Sequence, residues 1–382
     1  MEIKTQSSKR IFYYDSLRAL AIIGVIACHV SAPFVVNMNI INTPGWILSV
    51  FFNSFREFSI PIFVMISGAL LVNKDYQIRT FIKKKFNRIL IPYIFWVIMF
   101  ILFAIITFTL GLTISNVNHM SLSFIYKIIF GYPGYARVFW FVWMILVVYI
   151  VLFILNKLIK KVNIENFNSK VYKSILILLL IYSIIVSLKL FSPMQHTFIY
   201  YLSFTGYAVL GYYLAKTDFT TTKFGKRFCI NEKKILIASF ILSILFYIIV
   251  LLDIIILTNN AGKYTSLSHF NIIKLILVTN IFLFFRYFEE YDGKTIKSTY
   301  NKIKEGIIGK LINSLSKYSF GIYLSHILVL KFYLIYVFNN INLGNHNPIK
   351  WVPFLLIITL VTSWILVWAM SKVPYLEKVS GT

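Results

Sequence analysis

Long apolar runs recur along the whole 382-residue chain, and they constrain its fold more than any other feature. A run of about 20 apolar residues is long enough to cross the roughly 30 Å hydrocarbon core of a bilayer as a helix. Within the bilayer a spanning helix satisfies its own backbone hydrogen bonds. The runs therefore predict an all-α, polytopic integral membrane protein of about ten transmembrane helices. The predicted spans are residues 17–36, 46–72, 88–110, 138–156, 171–190, 197–215, 234–257, 270–288, 314–338 and 351–371.

The distribution of charge predicts the topology of these helices. The formal net charge is +25, which in a soluble protein would suggest a nucleic-acid partner. Here the cations are concentrated in alternate loops between the apolar runs, as the positive-inside rule describes for cytoplasmic loops. This alternation predicts that both termini are cytoplasmic. It also favours membrane lipid, and not nucleic acid, as the surroundings of the basic loops.

Residues 1–382 are expected to form a single membrane domain, with no extracytoplasmic domain after the last span. The first apolar run lacks a small-residue cleavage pattern, so we interpret it as a retained helix and not as a signal peptide. The two cysteines, Cys28 and Cys229, show no metal-binding spacing, and no metal is expected. The loop at 111–137 either forms a short interfacial helix or is a plain connector.

The first predicted helix carries Asp15, Arg18 and His29, and ionisable residues within a span are functional candidates because burying them is costly. Arg18 and His29 are eleven residues apart, which places them about 20° apart around a helix and roughly 16 Å apart along it. Asp15 lies about 40° from His29 on the same side. His29 is predicted to be a general base for an acceptor hydroxyl, or a transient acyl carrier. The alternative is a buried histidine that joins two helices.

Glu57, in the second predicted helix, is expected at a depth similar to that of His29. A contact between the two would orient the imidazole or raise its basicity. The alternative is that Arg56 and Glu57 have other partners. Adjacent helical residues point about 100° apart, so we expect these two not to pair with each other.

A basic cluster, Lys84, Lys85 and Arg88, stands at the inner end of the third predicted helix. These side chains suit the phosphates of a nucleotide donor. Anchoring to anionic lipid is the alternative.

In the ninth predicted helix, Tyr323 and His326 are three residues apart and share a face. His326 either lines the same cavity as His29 or holds two helices together. The remaining four histidines are expected to be solvated residues of external loops: His119, His196, His269 and His346.

Taken together, these residues resemble membrane acyltransferase family three, whose members O-acylate surface polysaccharides, peptidoglycan and antibiotics. The resemblance covers essentially the whole chain. It is strongest for the stand-alone surface-glycan O-acetyltransferases, such as the enterobacterial common antigen type. The matching motifs are Tyr14-Asp15-Ser16-Leu17-Arg18, His29 at its spacing from Arg18, Ile60-Pro61-Ile62-Phe63, Ser67-Gly68, the basic run ending Arg88-Ile89-Leu90-Ile91-Pro92, Phe139-Trp140-Phe141, and Ser319 to His326.

The resemblance implies acetyl-CoA as the cytoplasmic acyl donor and a glycan, often lipid-linked, as the acceptor. It implies that His29 is the essential histidine, that Arg18 is its paired arginine, and that Lys85 and Arg88 contact the donor. Relatives usually have two arginines at these last positions, and a lysine keeps the charge but loses the bidentate fork. Lys84 is grouped with them, and the residues expected to line the substrate cavity are Asp15, Ser67, Tyr323 and His326.

Many relatives complete the transfer with an esterase-like extracytoplasmic domain. Without one, this chain is expected to complete it in the membrane domain or with other polysaccharide-assembly proteins. The expected location is a bacterial plasma (inner) membrane. Transfer of a succinyl or other acyl group, and transport of a glycan or small molecule, are the alternatives.

Overall fold

The computed structural model describes residues 11–74, 77–112, 122–131, 136–162, 167–188, 190, 197–266, 268–338, 343 and 346–382. Over these residues the structure is helical and contains no strand. The α-helices are α1 Phe12–Val35, α2 Pro44–Asn53, α3 Arg56–Leu71, α4 Ile78–Phe81, α5 Asn87–Thr109, α6 Leu122–Phe130, α7 Trp140–Val162, α8 Phe167–Ser187, α9 Phe198–Lys216, α10 Lys223–Arg227, α11 Glu232–Ala261, α12 Ile272–Glu290, α13 Lys294–Glu305, α14 Ile307–Phe332, α15 Pro348–Met370 and α16 Leu376–Ser380. π-Helical turns at Ile82–Phe86 and Tyr333–Val337 join α4 to α5 and extend α14.

Eight helical segments in the described residues are long and apolar enough to cross a membrane, with α2 and α3 counted together. They coincide with eight of the ten predicted spans, so the chain is a multi-pass membrane protein. The other two predicted spans are also helical, as α9 and α12 of 19 residues each. They are less apolar, because α9 is rich in tyrosine and α12 carries Lys274, Arg286, Glu289 and Glu290.

The outer faces of the long helices expose apolar side chains. The series on α11 includes Ile237, Phe240, Ile241, Ile244, Ile248 and Leu252. In water a continuous apolar surface of this kind promotes association, whereas in a bilayer it faces hydrocarbon. The polar side chains of the buried faces are thereby separated from lipid.

Polar caps outside the apolar runs define where several helices begin. Thr43 accepts from the backbone N–H of Trp46 at the start of α2, and Asn231 accepts from that of Lys234 at the start of α11. Each satisfies a backbone donor that would otherwise lack an intrahelical partner. These ends therefore follow from local chemistry.

The second predicted span, 46–72, is confirmed as one membrane-length segment, but it consists of two helices. A two-residue turn separates Asn53, which ends α2, from Arg56, which begins α3. Asn53 Nδ2 donates to the Cys28 carbonyl of α1 at 2.9 Å, and Asn53 Oδ1 accepts from the Tyr264 hydroxyl at 2.7 Å. The Phe51 carbonyl, which the turn leaves without its regular intrahelical donor, accepts from the Ser54 hydroxyl at 2.8 Å and from the Tyr247 hydroxyl at 2.7 Å, so side chains satisfy this backbone group at membrane depth.

Helices α3 and α9 cross with their backbones in contact. A Cβ added to Gly68 would lie 1.9 Å from the Ala208 carbonyl oxygen, and one added to Gly211 would lie 2.1 Å from that of Met65. Small residues permit such close approach between membrane helices. The crossing fixes α9 beside the half of α3 that leads to the cavities described below.

Gly211→Leu is expected to lower the melting temperature and the monodisperse yield of the detergent-solubilised protein, because the new side chain collides with the α3 backbone. Thermal unfolding followed by size-exclusion chromatography measures both quantities. Ala238→Leu is the matched control, since Ala238 is exposed on α11. Equal melting temperatures for the two variants would show that the crossing is not required.

Candidate functional site

A cavity of about 1000 Å³ lies between the first turns of α1, the C-terminal half of α3, and parts of α5, α7 and α14. Cationic side chains from several of its walls face it, and we call it the basic cavity. Its cationic lining residues are Arg18, Lys74, Lys85, Arg88, Lys216 and Lys317. A concave surface with this excess of one sign of charge concentrates anions.

The basic cavity also brings together residues that are distant in the sequence. Asp15 and Ser67 line it alongside the cations. The Ser316 hydroxyl of α14 donates to Asp15 Oδ1 at 2.5 Å, and Arg18 Nη1 lies 3.6 Å from the same oxygen. The start of α1 is thus tied to α14. The side chain of Lys84 lies outside the described part of the structure.

A second cavity, of about 430 Å³, lies toward the other end of α1 and contains His29, so we call it the histidine cavity. Its walls combine aromatic rings with hydrogen-bonding groups. These lining residues include Asn53, Arg56, Trp140, Tyr200, Tyr264, Ser266 and His269. The mixture of aromatic surface and a few convergent polar groups is typical of a site for a small polar organic molecule.

Tyr323 lines both cavities. Its ring centroid lies 5.0 Å from that of Phe141, which in turn lies 6.1 Å from that of Phe63. The Tyr323 hydroxyl donates to the Val138 carbonyl, which holds the ring in place. These three rings, Phe63, Phe141 and Tyr323, form a partition between the cavities. Tyr323 therefore lies between the basic cavity and the cavity that contains His29.

His326 lies directly behind the histidine cavity. It is fully buried and is not among the lining residues, whereas His29 is partly exposed to the cavity. The two ring centroids are 5.2 Å apart. The structure therefore brings His29 and His326 close together, but His326 does not line the histidine cavity, contrary to the expectation that it lines the substrate cavity.

Glu57 is the centre of a buried cluster of charge. Its carboxylate lies 2.6 Å from Lys274 Nζ, 3.0 Å from Arg56 Nε and 3.3 Å from His269 Nδ1. The Glu57 and Lys274 side chains are each 1% exposed. Pairing of this kind offsets the cost of burying a charge in the membrane.

Two expectations about Glu57 are therefore corrected. Its carboxylate contacts Lys274, Arg56 and His269, and does not make the predicted contact with His29. Arg56 does pair with its neighbour Glu57, because its side chain is long enough for Nε to reach the adjacent carboxylate at 3.0 Å. Arg56 also donates to the Ser266 hydroxyl, so the pair faces the segment between α11 and α12.

Sequence reasoning missed two members of this cluster. His269 was expected on the solvated surface, but its side chain is 14% exposed and contacts Glu57. Burial lowers the pKa of the His269 imidazole, and this effect outweighs the opposing influence of the Glu57 carboxylate. Lys274 had a usable signal, since a single lysine within an apolar run is itself an intramembrane ionisable residue.

The other surface histidines contribute little to the site as described. His346 lies near the Trp351 ring, with centroids 5.2 Å apart. His119 and His196 lie outside the described residues.

The fold and the cavities define a multi-pass membrane protein with an internal site that joins a cation-lined cavity to one containing a histidine. The sequence matches the family model for an acyltransferase domain over residues 11–368, so the chain belongs to acyltransferase family 3 and is an acyltransferase. A search of curated proteins found no match, and a search of solved structures found none.

Lys274→Met is expected to destabilise the protein by about 3 kcal/mol, because removal of one partner leaves Glu57 incompletely compensated in a buried site. Denaturant titration of the detergent-solubilised protein measures the free energy of unfolding. The double variant Glu57→Gln with Lys274→Met should recover most of the loss, since it removes both charges. Lys263→Met, at an exposed lysine of the adjacent loop, is the control. A double variant no more stable than the single one would contradict the pairing.

Proposed function

We propose that this acyltransferase moves an acetyl group from cytoplasmic acetyl-CoA to a hydroxyl of a cell-surface polysaccharide, or of its lipid-linked precursor, in a bacterial plasma membrane. The observation that supports this most directly is the junction of two unlike cavities at Tyr323. One cavity has the charge that a nucleotide donor needs. The other has a histidine and the lining that a sugar acceptor needs.

The basic cavity suits coenzyme A because the coenzyme carries a diphosphate and a 3′-phosphate. Arg88 and Lys85 approach from one wall, whereas Lys216 and Lys317 approach from others. Cations on several sides match phosphates that are spread along an extended molecule, and arginine adds a bidentate geometry. The thioester end of the donor is then directed past Tyr323 toward His29.

The histidine cavity suits a carbohydrate. Trp140, Tyr200 and Tyr264 offer ring faces against which the C–H face of a sugar can pack, while Asn53 and Arg56 offer hydrogen bonds to hydroxyls. This combination supports a glycan acceptor over a purely apolar one.

His29 acts as general base in the proposed reaction. It removes the proton from the acceptor hydroxyl as the oxygen attacks the thioester carbonyl, and the carbon–sulfur bond then breaks. The proton held on His29 passes to the departing thiolate, which leaves as the free thiol. The variant of this scheme in which His29 carries the acetyl group transiently uses the same residue as nucleophile.

There are two alternatives to acetyl transfer. Succinyl or another acyl group in place of acetyl would use the same chemistry. Transport of a glycan or small molecule belongs to a different class, and membership of an acyltransferase family favours transfer over transport. Other polysaccharide-assembly proteins are the protein partners that this proposal names.

His29→Ala is expected to abolish transfer while leaving expression intact, since His29 supplies the base. Purified protein in nanodiscs is incubated with radiolabelled acetyl-CoA and a glycan-lipid extract as acceptor, and label in the acceptor is counted. His346→Ala, at a histidine remote from both cavities, is the control. Near-normal turnover by the His29 variant would exclude His29 as the base.

Lys85→Ala and Arg88→Ala are expected to raise the KM for acetyl-CoA roughly tenfold each, with kcat little changed, because a charge-assisted phosphate contact contributes about 1.5–3 kcal/mol to binding. Lys83→Ala is the control, because Lys83 is an exposed neighbour that does not line the basic cavity. Steady-state kinetics at varied acetyl-CoA measure both constants. A normal KM with reduced protein levels would instead indicate that these residues anchor the chain to lipid.

A further inference from the structure

The imidazole of His326 has a defined tautomer. Its Nδ1 lies 2.7 Å from the Tyr323 carbonyl oxygen and 3.2 Å from that of Ile322. A carbonyl oxygen only accepts, so Nδ1 carries the hydrogen, and in the neutral ring Nε2 carries the lone pair. His326 therefore presents a hydrogen-bond acceptor at Nε2.

That acceptor is buried and unsatisfied. Nε2 of His326 has no hydrogen-bond partner within the part of the chain that the structure describes. A buried polar atom without a partner is costly and calls for an explanation. A histidine that only joined two helices would bond across them, yet Tyr323 and Ile322 both belong to α14, the helix of His326 itself.

The His29 ring is adjacent to His326 and can supply a matching N–H donor. The ring centroids are 5.2 Å apart and the rings are inclined by 44°. With a nitrogen of each ring turned toward the other, this spacing brings the two nitrogens to about 3 Å, which is hydrogen-bonding distance. Hydrogen bonds of this kind are often long before substrate binds and tighten in the reacting complex.

We propose that His326 is a positioning residue of the active site: its Nε2 accepts a hydrogen bond from one ring nitrogen of His29. This leaves the lone pair of the other His29 nitrogen facing the cavity. The inference rests on the proposed acyl transfer, and it assigns to a neutral imidazole the role that a carboxylate has in a Ser-His-Asp triad. The carboxylate expected for that role, Glu57, is engaged by Lys274 and Arg56.

A neutral acceptor suits this depth in the membrane. A carboxylate would need its own counter-charge, whereas an imidazole held by two carbonyls does not. When His29 takes the proton from the acceptor, its positive charge is stabilised by the lone pair of His326. The same Nδ1 contact links His326 to the Tyr323 backbone, so the residue that orients the base is coupled to the residue that separates the cavities.

The kinetic test compares two substitutions of similar length. His326→Gln keeps an acceptor oxygen near the position of Nε2, whereas His326→Met does not. We expect the Gln variant to keep kcat within about tenfold of wild type and the Met variant to lose roughly a hundredfold or more, with an unchanged KM for acetyl-CoA. Equal kcat values for the two variants, at equal melting temperatures, would overturn the proposal.

A spectroscopic test does not depend on turnover. Protein with ¹⁵N-labelled histidine is placed in nanodiscs, and the ring nitrogens of His29 and His326 are assigned by comparison with His29→Ala. Wild type should show Nδ1 protonated and Nε2 unprotonated for His326, and His326→Met should change the tautomer ratio of His29. An unchanged ratio, or the opposite tautomer for His326 in wild type, would overturn the positioning role. If wild type shows these tautomers but transfers no acetyl group, the proposed function fails and the pairing stands.

Discussion

The ion pair between Glu57 and Lys274 is the interaction on which the rest of the site depends. Two side chains that are each 1% exposed are charged at a depth where neither would be stable alone. Glu57 lies just after the break between α2 and α3, and Lys274 lies in the first turn of α12. Their pairing holds the interrupted helix against α12. It also places Arg56 and His269 in the wall of the histidine cavity.

Helix α1 connects this cluster to the basic cavity. Its first turns contribute Asp15 and Arg18 to one cavity, and its later turns contribute Cys28 and His29 to the other. The helix is packed against α3 and α14, whose side chains supply the aromatic partition. A single helix thus contributes ionisable side chains to both cavities.

The sequence was sufficient for the eight long apolar helices of the described residues, because they depend on composition within one element. Several residues that line the basic cavity, such as Arg18 and Arg88, were predicted one by one from the sequence. That they face the same cavity depends on how α1, α3, α5 and α14 pack together. Sequence reasoning did not predict the turn after Asn53, because the Tyr247 hydroxyl that satisfies its freed carbonyl lies 196 residues away in the sequence. The partners of Glu57 were not predicted for the same reason, since Lys274 lies 217 residues away in the sequence.

The aromatic partition has a consequence for the energetics of the cell. An open channel between the two cavities would admit water, and a chain of water molecules conducts protons. Phe63, Phe141 and Tyr323 close the route with hydrocarbon surface, and the one polar group of the three, the Tyr323 hydroxyl, is committed to the Val138 carbonyl. At this level the three rings therefore offer a file of water molecules little to hydrogen-bond to, which disfavours proton conduction between the two cavities.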